Sequence, residues 1–204
     1  MTTILAYQGD NYAVVSVDSR ISSIDENGYA FQITTLGEGS SKVAKNGKYL
    51  LGAAGDVRAI NILHHVFQPP PVPPGTRGKK LDQFMTVKFI PALRECFEKQ
   101  GYAAPETENS THIAEHSSTI LVVVGGTIYV VDGDYSWTSD HNRIYALGTG
   151  SSYALGAMNA FISSKKNPTP AQVKSLSLKA LLIASKYDPY TGPPFYTHIQ
   201  ESSD

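Results

Sequence analysis

A chain of 204 residues with 41% hydrophobic side chains can bury one substantial core and is expected to form a single domain over 1–204. Seventeen Lys and Arg against eighteen Asp and Glu leave a formal net charge of −1, with no basic stripe to attract phosphates, so no nucleic-acid partner is expected. Cys96, the single cysteine, cannot form an internal disulfide. The first twenty residues carry Gln8, Asp10, Asn11 and Asp18 where a signal peptide needs a basic start and an apolar stretch, and no run approaches membrane-spanning length. The expected location is therefore cytoplasmic, with no membrane contact.

Residues 2 to 8 and 12 to 18 are β-branched, apolar runs separated by "GDN", a hairpin pattern. After a polar stretch to about Ser40, "SKVAKNGKYLLGAAG" predicts a second hairpin turning at Asn46-Gly47. "DVRAINILHHVF" places Val57, Ile60, Leu63 and Phe67 at helical spacing behind Asp56 as a candidate N-cap. The proline-rich "QPPPVPPGTRGKK" then reads as a surface loop joining two helices. A helical pattern resumes from Leu81 to about Lys99, interrupted at Pro91. "STILVVVGGTIYVVDGDYSW" predicts a hairpin buried on both faces and turning at Gly125-Gly126. "RIYALGTG" adds a strand, helices are expected over 151–164 and about 170–187, and "PFYTHIQE" closes the chain as a strand.

Strands, two helices, strands, two helices and a strand, with hairpins throughout, predict an α+β architecture of mainly antiparallel sheets without βαβ units. Two sheets packed face to face between helix layers fit this order.

The threonine after Met1 has a chemical reading besides its strand propensity. Removal of Met1 would leave Thr2 with a hydroxyl and a free α-amine on one residue, a nucleophile that carries its own base. Four further segments accompany it. "TTILA" and "VSVDSR", with Asp18 sixteen positions beyond Thr2, "SKVAKNGKYLLGAAG", "ALGTGSSYALGAM" and "SKYDPYTGPPF" together resemble the β-type subunits of the proteasome and their bacterial relatives, the peptidase rings of ATP-dependent proteases. The resemblance spans nearly the whole chain.

It implies a four-layer αββα N-terminal nucleophile hydrolase, a threonine endopeptidase without metal or organic cofactor, acting on unfolded polypeptide. Thr2 would attack the peptide carbonyl while its α-amine takes the proton. That amine has a reference pKa of about 7.7 to 8.0, so a neighbouring cation is needed to disfavour the ammonium form. The resemblance gives that part to Lys42, positioned by Asp18. Gly55 would offer its backbone N–H to the tetrahedral intermediate, and Thr149, Asp188 and Thr191 would orient the amine. Ile21, Ala53 and Val57 would line the pocket for the side chain preceding the cut, favouring apolar residues. The same resemblance implies a homo-oligomeric ring and a possible ATP-dependent unfoldase partner.

The chain departs from the family pattern in three places. Thr149 and Thr191 stand where serine is usual, keeping the hydroxyl but stiffening χ1. The connection from Arg20 to Lys42 is long. Asp56 puts a negative charge beside the expected oxyanion site, which leaves open a catalytically silent subunit serving assembly or a shell. "HIAEH", His112 to His116, matches a zinc-peptidase pattern, but it lies between a polar segment and a strand with too little room for the helix such a site needs. His64 and His65 fall on different sides of their helix, and Cys96 reads as a core thiol.

Overall fold

The computed structural model describes residues 2–27, 30–103 and 115–202. Strands β1 (Thr3–Gln8) and β2 (Tyr12–Asp18) form the expected hairpin. They are the centre of a four-stranded antiparallel sheet flanked by β10 (Ile144–Gly148) and β11 (Phe195–Glu201), in the order β10-β1-β2-β11. A second sheet, β5-β6-β7-β8-β9, comprises Val43–Asn46, Tyr49–Ala54, Thr119–Val124, Thr127–Val131 and Trp137–Thr138. The near-continuous apolar runs of β7 and β8 are buried because this sheet is covered on both faces.

Strand alternation divides the core into layers. Ile4, Ala6, Val15 and Val17 of the first sheet meet Val43, Leu50, Leu121 and Val123 of the second, closing the space between the sheets. The alternate residues Leu5 and Val14 pack under α4 (Ser151–Ile162) and α5 (Pro170–Tyr187). On the far side, Leu51, Ala53, Ile120 and Val122 pack under α1 (Val57–His65) and the helical run from Lys79 to Lys99. The result is a four-layer αββα sandwich, as the element order predicts.

Three local details differ from the sequence reading. The turn between β5 and β6 is Gly47-Lys48, one residue later than Asn46-Gly47, because Gly47 takes the left-handed conformation at φ 58° while Asn46 still pairs with Tyr49. The helix expected from Leu81 starts at Lys79 as α2 (Lys79–Phe84), passes through a π turn at Met85–Phe89, and continues as α3 (Ile90–Lys99). The π turn precedes Pro91, whose missing N–H prevents a regular α ladder there, so the run bulges instead of stopping. The stretch after Arg20, read as polar connection, holds the two-stranded pair β3 (Arg20–Ile24) and β4 (Ala30–Thr35). Gln32 to Thr35 are exposed, including Ile33 at 58%. With Gln32 to Thr35 turned to solvent, no run of buried apolar residues marks this part of β4 in the sequence.

The described part of the "HIAEH" segment is Glu115 and His116; His112 lies outside the described residues. His116 is buried in an aromatic cage, with ring centroids 5.2 Å from Phe97, 6.3 Å from Tyr102 and 4.9 Å from Tyr135. Desolvation holds its pKa below the ordinary imidazole value, and burial acts the same way on His198. Neither Nε2 has a hydrogen-bond partner among the described residues. His64 Nε2 donates to Ser41 O at 2.7 Å, while His65 is exposed.

A histidine with a depressed folded-state pKa leaves the unfolded chain holding the extra proton as pH falls through about 6.5, so stability is complete above that pH and declines below it. The urea midpoint is therefore expected to fall between pH 7 and pH 5. His116→Phe should flatten that decline by removing one of the two buried imidazoles, as read from denaturation curves at several pH values.

Candidate active site

The first residues of β1 lie at the edge of the space between the sheets. Thr2 is 3% exposed, and continuing the strand alternation puts it on the same face as Ile4, toward the second sheet. Gly148, paired with Thr3 and held at φ 91°, seats the preceding carbonyl. A Cβ at Gly148 would stand 1.8 Å from Thr2 O, so only glycine allows β10 this close to the chain terminus.

Asp18, the last residue of β2, is fully buried and all its described contacts are with N–H donors. Oδ1 accepts from Thr3 N at 2.8 Å and from Lys42 Nζ at 2.6 Å. Oδ2 accepts from Arg20 N at 3.1 Å and Gly192 N at 3.2 Å. Lys42 also donates to Arg20 O at 2.5 Å, and its side chain is wholly removed from solvent. Desolvation lowers the Lys42 pKa from its ordinary value; Asp18 pulls it the other way but does not cancel the burial. One carboxylate oxygen thus joins the lysine ammonium to the backbone of the residue that follows Thr2.

A second network reaches the opposite face of β1. Asp188 caps the C-terminus of α5; its Oδ1 accepts from Tyr190 N, and its Oδ2 accepts from Thr149 Oγ1 at 2.8 Å and Thr191 Oγ1 at 2.5 Å. Since the Thr191 hydroxyl donates to Asp188, the 2.5 Å contact between Thr3 Oγ1 and Thr191 Oγ1 has Thr3 as donor. Thr3 Oγ1 in turn accepts from Gly150 N at 3.1 Å. The chain runs from Gly150 N–H through Thr3 and Thr191 to Asp188, each bond polarising the next.

Of the expected site residues, Asp18 and Lys42 form one group, and Thr149, Asp188 and Thr191 the other; Thr3, next to Thr2, joins the two. The residue sequence reading passed over is Thr3, read as a strand threonine. Its signal was a second hydroxyl at a position whose alternate neighbours, such as Leu5, face an apolar helix layer. Gly150, Gly192 and the Arg20 carbonyl contribute only backbone atoms, which no side-chain pattern reveals.

Of the expected pocket residues, Ala53 is fully buried in the core beneath α1; alternation turns Gly52 and Ala54 to the other face of β6, where a Cβ at Gly52 would meet Ile4 Cδ1 at 2.9 Å. Ile21 is half-buried on β3, and Val57 is 37% exposed in the first turn of α1. Gly55 is exposed at the end of β6, at φ 139°. The charges that follow it are engaged. Asp56 caps α1 by accepting from Arg58 N at 2.9 Å, and the Arg58 guanidinium bonds the carbonyls of Gln100 and Gly101 beyond α3.

Two antiparallel sheets between helix pairs, with the first strand central in its sheet, define the fold of the N-terminal nucleophile hydrolases. The chain shares it with BPH of Thiobacillus denitrificans in complex with epoxomicin, at a TM-score of 0.70 and 18% identity over 99% of this chain and 100% of that one. A second structure of that protein gives 0.69 and 16% over 98% of each chain, and HslV from Trypanosoma brucei gives 0.61 and 16% over 98% and 99%. No family model matches the chain, and no curated protein matches it in sequence.

Removing the carboxylate isolates a buried cation. Asp18→Asn is expected to destabilise the fold by about 3 kcal/mol at neutral pH, measured by urea unfolding. The Lys42 pKa should fall further in the variant. A lysine depressed in the folded state gains stability as pH rises from its folded toward its unfolded pKa, so the deficit should shrink in alkaline buffer.

Proposed function

We propose that the protein is a threonine-type endopeptidase, one domain that hydrolyses peptide bonds of unfolded polypeptides with Thr2 as its N-terminal nucleophile once Met1 is removed. The observation that carries this reading is the buried Lys42–Asp18 pair, whose shared oxygen also holds the Thr3 amide. A cation fixed beside the chain terminus disfavours a second positive charge there, so the α-amine is kept in its basic form.

In the reaction, the α-amine accepts the Thr2 hydroxyl proton as Oγ1 attacks the carbonyl, and returns a proton to the leaving amine; water then releases the acyl group from the ester. Lys42 supplies the electrostatic bias and Asp18 fixes it. Asp188, through Thr149, Thr191 and Thr3, holds the backbone beside the nucleophile. The Gly55 N–H stabilises the developing oxyanion. Ile21 and Val57 offer apolar contacts to the substrate.

The protein works as a homo-oligomeric ring in the cytoplasm, fed with unfolded chains by an ATP-dependent unfoldase. Exposed Tyr153, Leu182 and Tyr187 on α4 and α5 are consistent with surface that assembly covers. Among the described residues no helix is long and apolar enough to cross a membrane.

Purified protein whose intact mass shows loss of Met1 is expected to cleave a fluorogenic peptide and to gain the mass of one epoxomicin per chain. Thr2→Ala should abolish both, lowering turnover at least about a thousandfold, while Thr2→Ser retains partial activity. Processed protein with neither turnover nor adduct would instead identify a silent subunit.

A further inference from the structure

The ladder between β6 and β7 ends at Ala54↔Thr119. One step further, where Gly55 comes opposite Ser118, the chains are too close for any side chain at residue 55. A Cβ there would lie 2.6 Å from Ser118 Oγ, 2.7 Å from Ser117 O and 2.8 Å from Ser118 Cα. A side chain takes over from the backbone ladder: Asp56 N donates to Ser118 Oγ at 3.0 Å. Ser118 is 4% exposed, and its hydroxyl is braced by Tyr102 OH at 2.7 Å. The Tyr102 ring is itself wedged edge-on against Phe97 at 4.9 Å and lies over His116 at 6.3 Å. The brace therefore runs from the end of α3, through Tyr102 and Ser118, to the turn that carries Gly55 and starts α1.

We propose that Ser118, braced by the Tyr102 hydroxyl, is a positioning residue that aims the Gly55 N–H at the reacting carbonyl by anchoring the Asp56 amide. This rests on the peptidase reading above. Gly55 is exposed and sits at φ 139°, with no side chain to fix it, so the peptide that carries its N–H is held by the Ala54 ladder pairing on one side and by the anchor of Asp56 on the other. Asp56 uses its carboxylate to cap α1 and its amide to meet Ser118. The first bond sets the helix start; the second sets the turn. Loss of the second frees rotation about Gly55 while leaving the sheet and α1 in place. Because an oxyanion donor acts on the transition state more than on bound substrate, the loss is read in kcat rather than in KM.

The test compares Ser118→Ala, Ser118→Thr and Tyr102→Phe in protein that has lost Met1, with peptide turnover and amide hydrogen exchange measured well below the unfolding transition. Ser118→Ala is expected to lower kcat about tenfold at nearly unchanged KM, and to speed exchange of the Asp56 amide while β1 and β6 amides keep their protection. Ser118→Thr keeps the hydroxyl and should recover most of the rate. Tyr102→Phe keeps its ring contacts and Ser118, and should show a smaller loss of kcat; it also carries the test if Ser118→Ala does not fold. Wild-type kcat in Ser118→Ala, or equal losses in the Ala and Thr variants, overturns the proposal. A processed wild type without turnover overturns the peptidase reading, and the Asp56 exchange rate then still decides whether Ser118 anchors the turn.

Discussion

The carboxylate of Asp18 is the junction on which the rest depends. Taking a carboxylate and an ammonium out of water costs several kcal/mol for each ion, and the fold meets that cost by giving Asp18 the Lys42 ammonium and three backbone N–H groups. Those donors come from β1, from the start of β3, from the segment leading to β5 and from the segment leading to β11. A single buried charge therefore sets the relative positions of four stretches of chain, and the first residues of the protein are one of them. Lys42 retains a depressed pKa because burial outweighs its partner.

The second constraint is steric and lies on the other side of β1. Gly148 lets β10 approach the Thr2 carbonyl, and the Gly150 amide begins a hydroxyl chain that ends on the Asp188 carboxylate. Thr3 connects the two systems, with its amide on Asp18 and its hydroxyl on Thr191. The backbone beside Thr2 is thus held by an ionic network in one direction and a directional hydroxyl relay in the other. Rigid support on both sides suits the role proposed for Thr2, since small displacements of reacting groups carry large rate penalties.

Much of this was legible in the sequence, for identifiable reasons. Apolar alternation and turn chemistry gave the hairpins, and the helix expected from about residue 170 starts at Pro170, where the Thr169 side chain and Gln172 complete a capping box. Asp18, Lys42, Asp188 and their neighbours came from the resemblance of their segments to the proteasome β-type subunits; as single polar residues they carry no signal of one another. Thr3 was not legible, because a threonine in a strand carries no signal of the partner its hydroxyl will find. The β3–β4 pair escaped for the opposite reason, since Gln32 to Thr35 are exposed and nothing requires them to alternate. Which face of β6 Ala53 takes was not legible either, because the parity of β6 follows from packing against β1 and α1.

The sequence by itself determined the succession of elements outside the β3–β4 pair, the burial of both sheets and the residue types able to form an ionic pair, because period, turn residues and charge are local properties of the chain. Tertiary structure alone decided that Oδ1 of Asp18 is shared between Lys42 and the Thr3 amide, that Thr3 and not another hydroxyl links to Thr191, and that Ser118 reaches the turn after β6. These contacts join residues far apart in the chain, and their lengths depend on how two twisted sheets close on each other at glycine positions, which no local pattern specifies.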